Sequence, residues 1–446
     1  MCIRDSYYIP LILFCICFIW RFFHITDRDI CLDEPFTIFQ AQKSIYNIIL
    51  LTIHGEPTPP LFMIMVHVWI KLFGFSALAL RTLPLIFSSL TVIFIYRSVL
   101  KLTGVYAALI SSALLLFSSM HFFFGLEIRT YSLMSLLTAI IYYLYIIWIQ
   151  NPKNKWIPYL IVLANIGLLL SNYFGLLVIV NEGIILLFYF KNHLLRKKIV
   201  TVIFATLILS SPILYLLFKQ YLVSSKGTWV PALADGSFQY FIELALNGRD
   251  NINHYVYILT ACFSLFVFRA LKNKNCDFSD IKILFIWLFC FLFPYLSMFF
   301  LSFSSPCFLE RYLLFNSIAL YLFIGITIGK LLESYSLFQA IALIIVTTYA
   351  YKNMFINSKD FYYRDLKNAV NYTLENKDNQ TLVFIQPAWN VIGFAYHYKL
   401  SRFNNTDDFV LDILNAENIF AVYSFDEASH ILKRKWGNLS HCNLFL

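Results

Sequence analysis

Apolar runs of membrane-crossing length recur through most of this chain, at residues 7–25, 82–100, 105–122, 130–149, 157–173, 175–190, 199–218, 254–271, 281–302, 312–329 and 336–352. A helix needs about 20 apolar residues to cross the hydrocarbon core. The runs therefore predict an α-helical polytopic membrane protein with about eleven spans. Composition agrees: hydrophobic residues fill 60% of the 446 positions and charged residues only 13%, against the roughly 25% charged of soluble domains. The chain is rich in Phe and Tyr, and Tyr and Trp near span ends suit the lipid–water interface, where amphipathic rings sit. A twelfth run, 59–73, is short and follows Pro57, Pro59 and Pro60. Proline is tolerated at a helix start and disrupts an interior, so this run reads as a juxtamembrane helix in the first outer loop.

The polar turns give the chain a direction. Alternate turns hold Arg97 and Lys101, Lys153 and Lys155, the cluster Lys191, Arg196, Lys197 and Lys198, then Lys272, Lys274 and Lys282, then Lys330. The turns between them hold Asp27, Asp29, Asp33, Glu34 and Glu56, then Glu127, Asn172, the loop 219–253, and Pro306 to Arg311. Basic residues concentrate on the cytoplasmic side of membrane proteins. The expected topology therefore has a cytoplasmic N-terminus and an outward-facing tail. The same rule accounts for the net charge of +9 and removes the case for a nucleic-acid partner. Nine scattered cysteines without a C-x-x-C pair indicate neither a zinc site nor a redox motif.

Two domains are expected. Residues 7–352 form the membrane domain. Residues 353–446 form a small extracytoplasmic α/β unit, with buried strands at 381–386 and 418–424. The first six residues, MCIRDS, match the translation of a transposon-end adapter used in DNA library preparation; they are expected to be foreign and are set aside.

Chemistry-bearing residues gather on the predicted outer face. Five carboxylates crowd the loop 26–60, including the adjacent Asp33 and Glu34 before a helix-like run. A helix N-terminus stabilises such a carboxylate in its ionised form, ready to accept a proton. Glu127 and Arg129, followed by Tyr131, sit against apolar sequence on both sides, where ionisable groups are costly and usually functional. Arg311 and Tyr312 lie at the outer end of a later span, and arginine is a natural phosphate partner through its planar fork. Each feature has a plainer reading as well: a solvated acidic loop, an internal Glu–Arg pair, a snorkelling arginine. Their common face is what joins them. Loop 219–253, with Lys226 and Arg249 among its glycines, is a candidate flap whose cations could hold phosphate.

The segments CLDEPFTIFQAQ (31–42), HGEPTPPLFMIMVHVWIKLFG (54–74), ALRTLPLIFSSLTVIFIYR (79–97), LEIRTYSL (126–133) and SPCFLERYLLF (305–315) resemble the GT-C glycosyltransferases. That membrane superfamily includes protein O-mannosyltransferases and the lipid A aminoarabinose transferase, and the likeness is strongest to bacterial members described as glycosyltransferase 39-like. It spans residues 7–330 in pattern and is most specific over 31–133. It implies a GT-C fold and transfer of a sugar from a polyprenyl phosphate to a lipid, glycan or protein acceptor on the outer membrane face. Asp33 then falls on the general base, Glu34 on its neighbour, Glu127 and Arg129 on the second-loop acidic–basic element, and Arg311 and Tyr312 on the donor-phosphate pair. His54 falls on the histidine before the proline motif, although Gly55, Glu56, Pro57 and Thr58 intervene here. No cofactor is required by such a mechanism; a divalent metal is admissible in the acidic loop but not indicated. The competing expectation is a lipid-linked-sugar flippase. A transporter would place charged residues near the bilayer midplane, whereas the span interiors here read as nearly uncharged.

Overall fold

The computed structural model describes residues 5–228, 230–247, 260–268, 278–362, 365–378, 381–399 and 410–436. They are overwhelmingly helical. The elements α1 (Asp5–Phe22), α2 (Glu34–Ala41), α3 (Ile45–Ile53), α4 (Leu61–Phe73), α5 (Ala77–Leu102), α6 (Val105–Leu116), α7 (Ser119–Phe124), α8 (Tyr131–Gln150), α9 (Ile157–Ser171), α10 (Gly175–Phe188), α11 (His193–Leu209), α12 (Ser211–Ser224) and α13 (Ser237–Leu246) come first. Helices Phe278–Leu301, Ser317–Leu331 and Ser336–Tyr362 follow, the second of them continuing a 3-10 segment, Glu310–Asn316. Among the described residues, Ala77–Leu102, Tyr131–Gln150, Ile281–Leu301 and Glu310–Leu331 are long and apolar enough to cross a membrane, and shorter apolar helices accompany them. The protein is a multi-pass membrane protein.

The sequence reads 199–218 as one span, but the structure breaks it. Helices α11 and α12 meet at a 68° bend. Pro212 lies in the first turn of α12, where its missing N–H costs nothing; inside a continuous helix it would remove a bond and clash with the preceding turn. Part of loop 219–253 differs too. Residues 237–246 form α13, with Phe241 and Ala245 buried. Tyr321 donates to the Ala245 carbonyl at 2.7 Å, and the Asn247 amide donates to Phe117 O at 2.7 Å and Ala350 O at 2.9 Å. This stretch is therefore an anchored helix rather than part of a flap. Run 254–271 lies largely outside the described residues.

The chain divides into two compact units. The first comprises Met1–His24, Leu50–Phe62 and Arg81–Phe361. Of its crossing helices, Glu310–Leu331 and α8 are the most buried. Glycine lets neighbours approach closely: a Cβ on Gly329 would lie 2.6 Å from Ala107 Cβ, and one on Gly325 would strike the Ser111 hydroxyl. Close backbone approach is how membrane helices gain packing where lipid offers no hydrophobic driving force. Outward faces carry Tyr159, Leu163, Phe204, Ile208 and Phe218, all exposed, as suits a lipid-facing surface.

The second unit comprises Ile25–Ile49, Met63–Leu80 and Tyr362–Leu446. Strands β1 (Val383–Ile385) and β2 (Ile419–Ala421) pair in parallel, Val383 opposite Ile419. Val370, Ile385, Val391, Phe394, Leu414 and Ile419 form its core, and Phe39 of α2 packs against it. The polar tail thus shares a core with the first loop.

Candidate active site

In the first unit, α6 ends at a buried guanidinium. Arg21 of α1 donates to the carbonyls of Leu115 at 3.1 Å and Leu116 at 3.3 Å, and to the Ser88 hydroxyl. These are last-turn carbonyls, which lack the N–H four residues on that a continuing helix would supply; Leu115 O also accepts from Ser118 N at 3.3 Å. Helix α7 then starts on a Ser118 cap, whose hydroxyl accepts from His121 N. A Cβ on Gly125 would strike the His121 carbonyl oxygen and the Ser88 hydroxyl, so only glycine turns the chain here. The loop that follows folds tightly: Arg129 N donates to Glu127 O at 2.6 Å. Thr130 Oγ1 donates to Ser171 O at 2.8 Å, which fixes the start of α8.

That loop gathers the candidate residues. Glu127 is 3% exposed. The charges of Arg129, Arg311 and Glu127 all act on the Tyr131 phenol. The Tyr131 and Tyr312 rings lie 6.3 Å apart, Phe174 stacks 5.2 Å from Tyr312, and the Arg311 guanidinium is 5.8 Å from the Tyr312 ring. The Tyr131 and Ser132 hydroxyls are buried and have no hydrogen-bond partner among the described residues. A buried phenol left so is costly, and here it stands beside two guanidinium groups. The arrangement suits an anion with several oxygens. Beyond Phe174, burial, and then the Glu56 charge, push the Tyr173 phenol above its usual range, so it stays a proton donor at neutral pH.

In the second unit, Asp33 and Glu34 open α2. Leu32 takes a left-handed φ of +57°, which an L side chain rarely adopts. Glu34 N donates to Cys31 O at 3.3 Å, and Thr37 N to Asp33 O at 3.4 Å. Asp33 holds the N-cap position, but its carboxylate makes no capping bond. Glu34 is buried at 2% exposure. At the far end of α2, His67 Nδ1 donates to Ala41 O at 2.8 Å.

The structure thus brings Glu127, Arg129, Tyr131, Arg311 and Tyr312 together. His54 is exposed after α3 and Lys226 is exposed after α12; neither has a recorded contact with that group. Arg249 lies outside the described residues. Among the described residues, no three His, Cys, Asp or Glu side chains are grouped to hold a metal ion.

The family of dolichyl-phosphate-mannose-protein mannosyltransferases matches residues 57–215. No curated protein matches the chain by sequence. Among the solved structures that match the fold are ArnT from Cupriavidus metallidurans bound to undecaprenyl phosphate, with a TM-score of 0.59, and the same protein in the apo state, at 0.56. Each is 12% identical and covers 96% of this chain and 91% of its own. The chain has the GT-C fold. The family likeness is one of residues 57–215, less than half of the chain. Within this GT-C fold, the Asp33 loop, the loop after α7 and the stretch around Arg311 and Tyr312 are the three features that sequence reasoning singles out on one predicted face.

Other buried polar groups escape that reasoning. Arg21 and Ser132 are among them. So is a network deeper in the bundle, where Glu182 Oε1 accepts from Asn165 Nδ2 at 2.7 Å and Oε2 from Tyr145 at 2.9 Å. Asn165 also reaches Thr206 at 3.3 Å, and Asn181 donates to the Tyr142 hydroxyl at 2.8 Å and the Cys290 carbonyl at 2.9 Å. The span interiors are therefore not uniformly uncharged. An Asn–Glu pair inside an apolar run (Gly175–Phe188) is the signal that marks this network, because charge at membrane depth requires partners.

Proposed function

We propose that this chain is a membrane glycosyltransferase that moves a sugar from a polyprenyl phosphate to an acceptor hydroxyl at the extracytoplasmic face of the plasma membrane. The carrier's tail stays in lipid, so the chemistry belongs at the membrane surface. The acceptor oxygen attacks the anomeric carbon, the bond from that carbon to the phosphate oxygen breaks, and the electron pair leaves with the phosphate. Attack from the face opposite the leaving group inverts the centre. Asp33 takes the acceptor proton as general base, and Glu34 steadies it. Arg129, Arg311 and the Tyr131 and Tyr312 hydroxyls meet the phosphate charge as it grows, by preorganised donors in a water-poor setting. No metal is needed for a leaving group that is already an anion.

The observation that supports this reading best is the buried Tyr131 hydroxyl without a partner among the described residues, set among the charges of two arginines and Glu127. Local structure leaves that donor unused, and a phosphate oxygen would use it. The decisive experiment is sugar transfer by purified protein from a labelled polyprenyl-phosphate sugar. Asp33→Asn keeps the side chain's shape and cannot accept the proton, so transfer falls by roughly 10²–10⁴-fold while donor binding persists. Substantial transfer by that variant removes Asp33 as the base. Comparing envelope glycans with and without the gene identifies the sugar and the acceptor.

A further inference from the structure

We infer that His397, far along the chain in the tail, is a positioning residue for the Asp33 carboxylate. The inference rests on the reading of Asp33 as general base. Residue 32 is the point of departure. A non-glycine residue at positive φ persists only where its surroundings over-determine it, and Leu32 lies directly before Asp33. Two bonds from the tail hold the chain just upstream. His397 Nε2 donates to the Ile30 carbonyl at 2.9 Å, and Lys367 N donates to Asp29 Oδ2 at 2.8 Å. Downstream, α2 is held at its end by His67.

The helix that carries His397, Val391–Lys399, also closes on the loop by shape. A Cβ on Gly393 would lie 3.9 Å from both Cys31 Cα and Pro35 Cγ, the residues that bracket Leu32, Asp33 and Glu34. Ile30 is buried at 1% exposure, so its carbonyl has little water to fall back on and depends on a protein donor. Without the imidazole, that carbonyl must seek another partner, and the left-handed residue two positions on can relax. The helix-opening carboxylate then leaves its bearing. A displacement on the order of 1 Å costs on the order of a hundredfold in rate when the reacting groups are otherwise oriented.

The test measures kcat and donor KM separately in the full-length protein in lipid. His397→Ala and His397→Phe both remove the donor, and the phenylalanine keeps the ring volume. Both lower kcat about tenfold to a hundredfold and leave donor KM unchanged. His397→Gln, which again offers an N–H, restores most of the rate. Tyr396→Phe is the control on the same helix: it removes a hydroxyl that donates to Phe75 O at 3.1 Å, away from the loop, and keeps wild-type kcat. Wild-type kcat in His397→Phe overturns the proposal, as does a glutamine variant no better than phenylalanine, or an equal loss in Tyr396→Phe. Full transfer by Asp33→Asn would sink the base assignment instead, whatever the His397 variants do.

Discussion

Two tyrosines on one helix have opposite surroundings. Tyr145, near the end of α8, donates to Glu182, whose other carboxyl oxygen accepts from Asn165. Tyr131, at the start of the same helix, keeps a buried hydroxyl with no partner among the described residues, beside Arg129 and Arg311. Both regions put a glutamate out of water, Glu182 at 0% and Glu127 at 3% exposure. The carboxyl oxygens of Glu182 are satisfied within the bundle by neutral amide and hydroxyl donors, the pattern of a group that ties helices together. Near Glu127 the charges of Arg129 and Arg311 act on the same Tyr131 phenol, and the Tyr131 and Ser132 hydroxyls have no partner among the described residues. The network is not complete, since the Asn165 and Asn181 side-chain oxygens find no partner among the described residues; what sets the Tyr131 end apart is an idle hydroxyl set among the charges of two arginines, which suits an anionic ligand.

The largest expected effect breaks the comparison at its ligand end. Arg311→Ala removes a guanidinium from the Tyr131 region. Hydrogen bonds to charged groups contribute about 1.5–3 kcal/mol, so donor affinity falls on the order of 10- to 100-fold. Binding of a polyprenyl-phosphate sugar to the purified protein measures it. An unchanged affinity rejects the phosphate role and leaves Arg311 as an interfacial anchor.

Next comes the network end. Glu182→Ala leaves the Tyr145 hydroxyl without its acceptor and the Asn165 amide with its 3.3 Å bond to Thr206 alone, at a cost of about 1–3 kcal/mol. The variant loses thermal stability in detergent, while its transfer per folded molecule stays at the wild-type level. A variant that folds normally but loses transfer would make Glu182 part of the chemistry and revive the transport reading, in which midplane charge is functional.

Legibility follows the same division. Apolar runs and the alternation of basic turns need no tertiary information, so the helical membrane class can be read directly. Glu127, Arg129 and Arg311 stand out because charge is scarce and each adjoins apolar sequence. Tyr131 is less visible: tyrosines abound in this chain, and only three-dimensional placement distinguishes an idle phenol from a paired one. The bend at Pro212 is foreshadowed by its proline, but the sequence does not say whether such a residue kinks a span or starts a new helix. Helix α13 is apolar but only ten residues long, so it is lost inside the loop 219–253 until Phe241 and Ala245 find a core. The tethers from His397 and Lys367 to the first loop join residues more than three hundred positions apart, and no local pattern announces them.

A third variant sharpens the ligand end. Tyr131→Phe deletes a hydroxyl without a partner among the described residues, so folding loses nothing and gains relief from an unpaired buried donor. Transfer falls about tenfold, equivalent to about 1.4 kcal/mol of transition-state stabilisation. The combination of undiminished stability and reduced turnover is what a structural tyrosine does not give. A stability loss without a rate loss would assign Tyr131 to packing.

The smallest effect is the mirror image. Tyr145→Phe removes the hydroxyl that donates to Glu182 Oε2 at 2.9 Å and leaves Asn165 as the remaining recorded donor to the carboxyl group. Hydrogen bonds between membrane helices contribute about 0.6 kcal/mol on average and at most about 1.7, because the unfolded chain in lipid also finds partners. The variant should therefore lose a degree or two of thermal stability and none of its transfer rate. The pair matters more than either member: the same atom is deleted from the same residue type on the same helix, so helix propensity and ring packing cancel. Opposite signatures at positions 131 and 145 would mean that surroundings alone decide which phenol serves the reaction. Identical signatures would remove the distinction between idle and satisfied donors on which the location of the site depends.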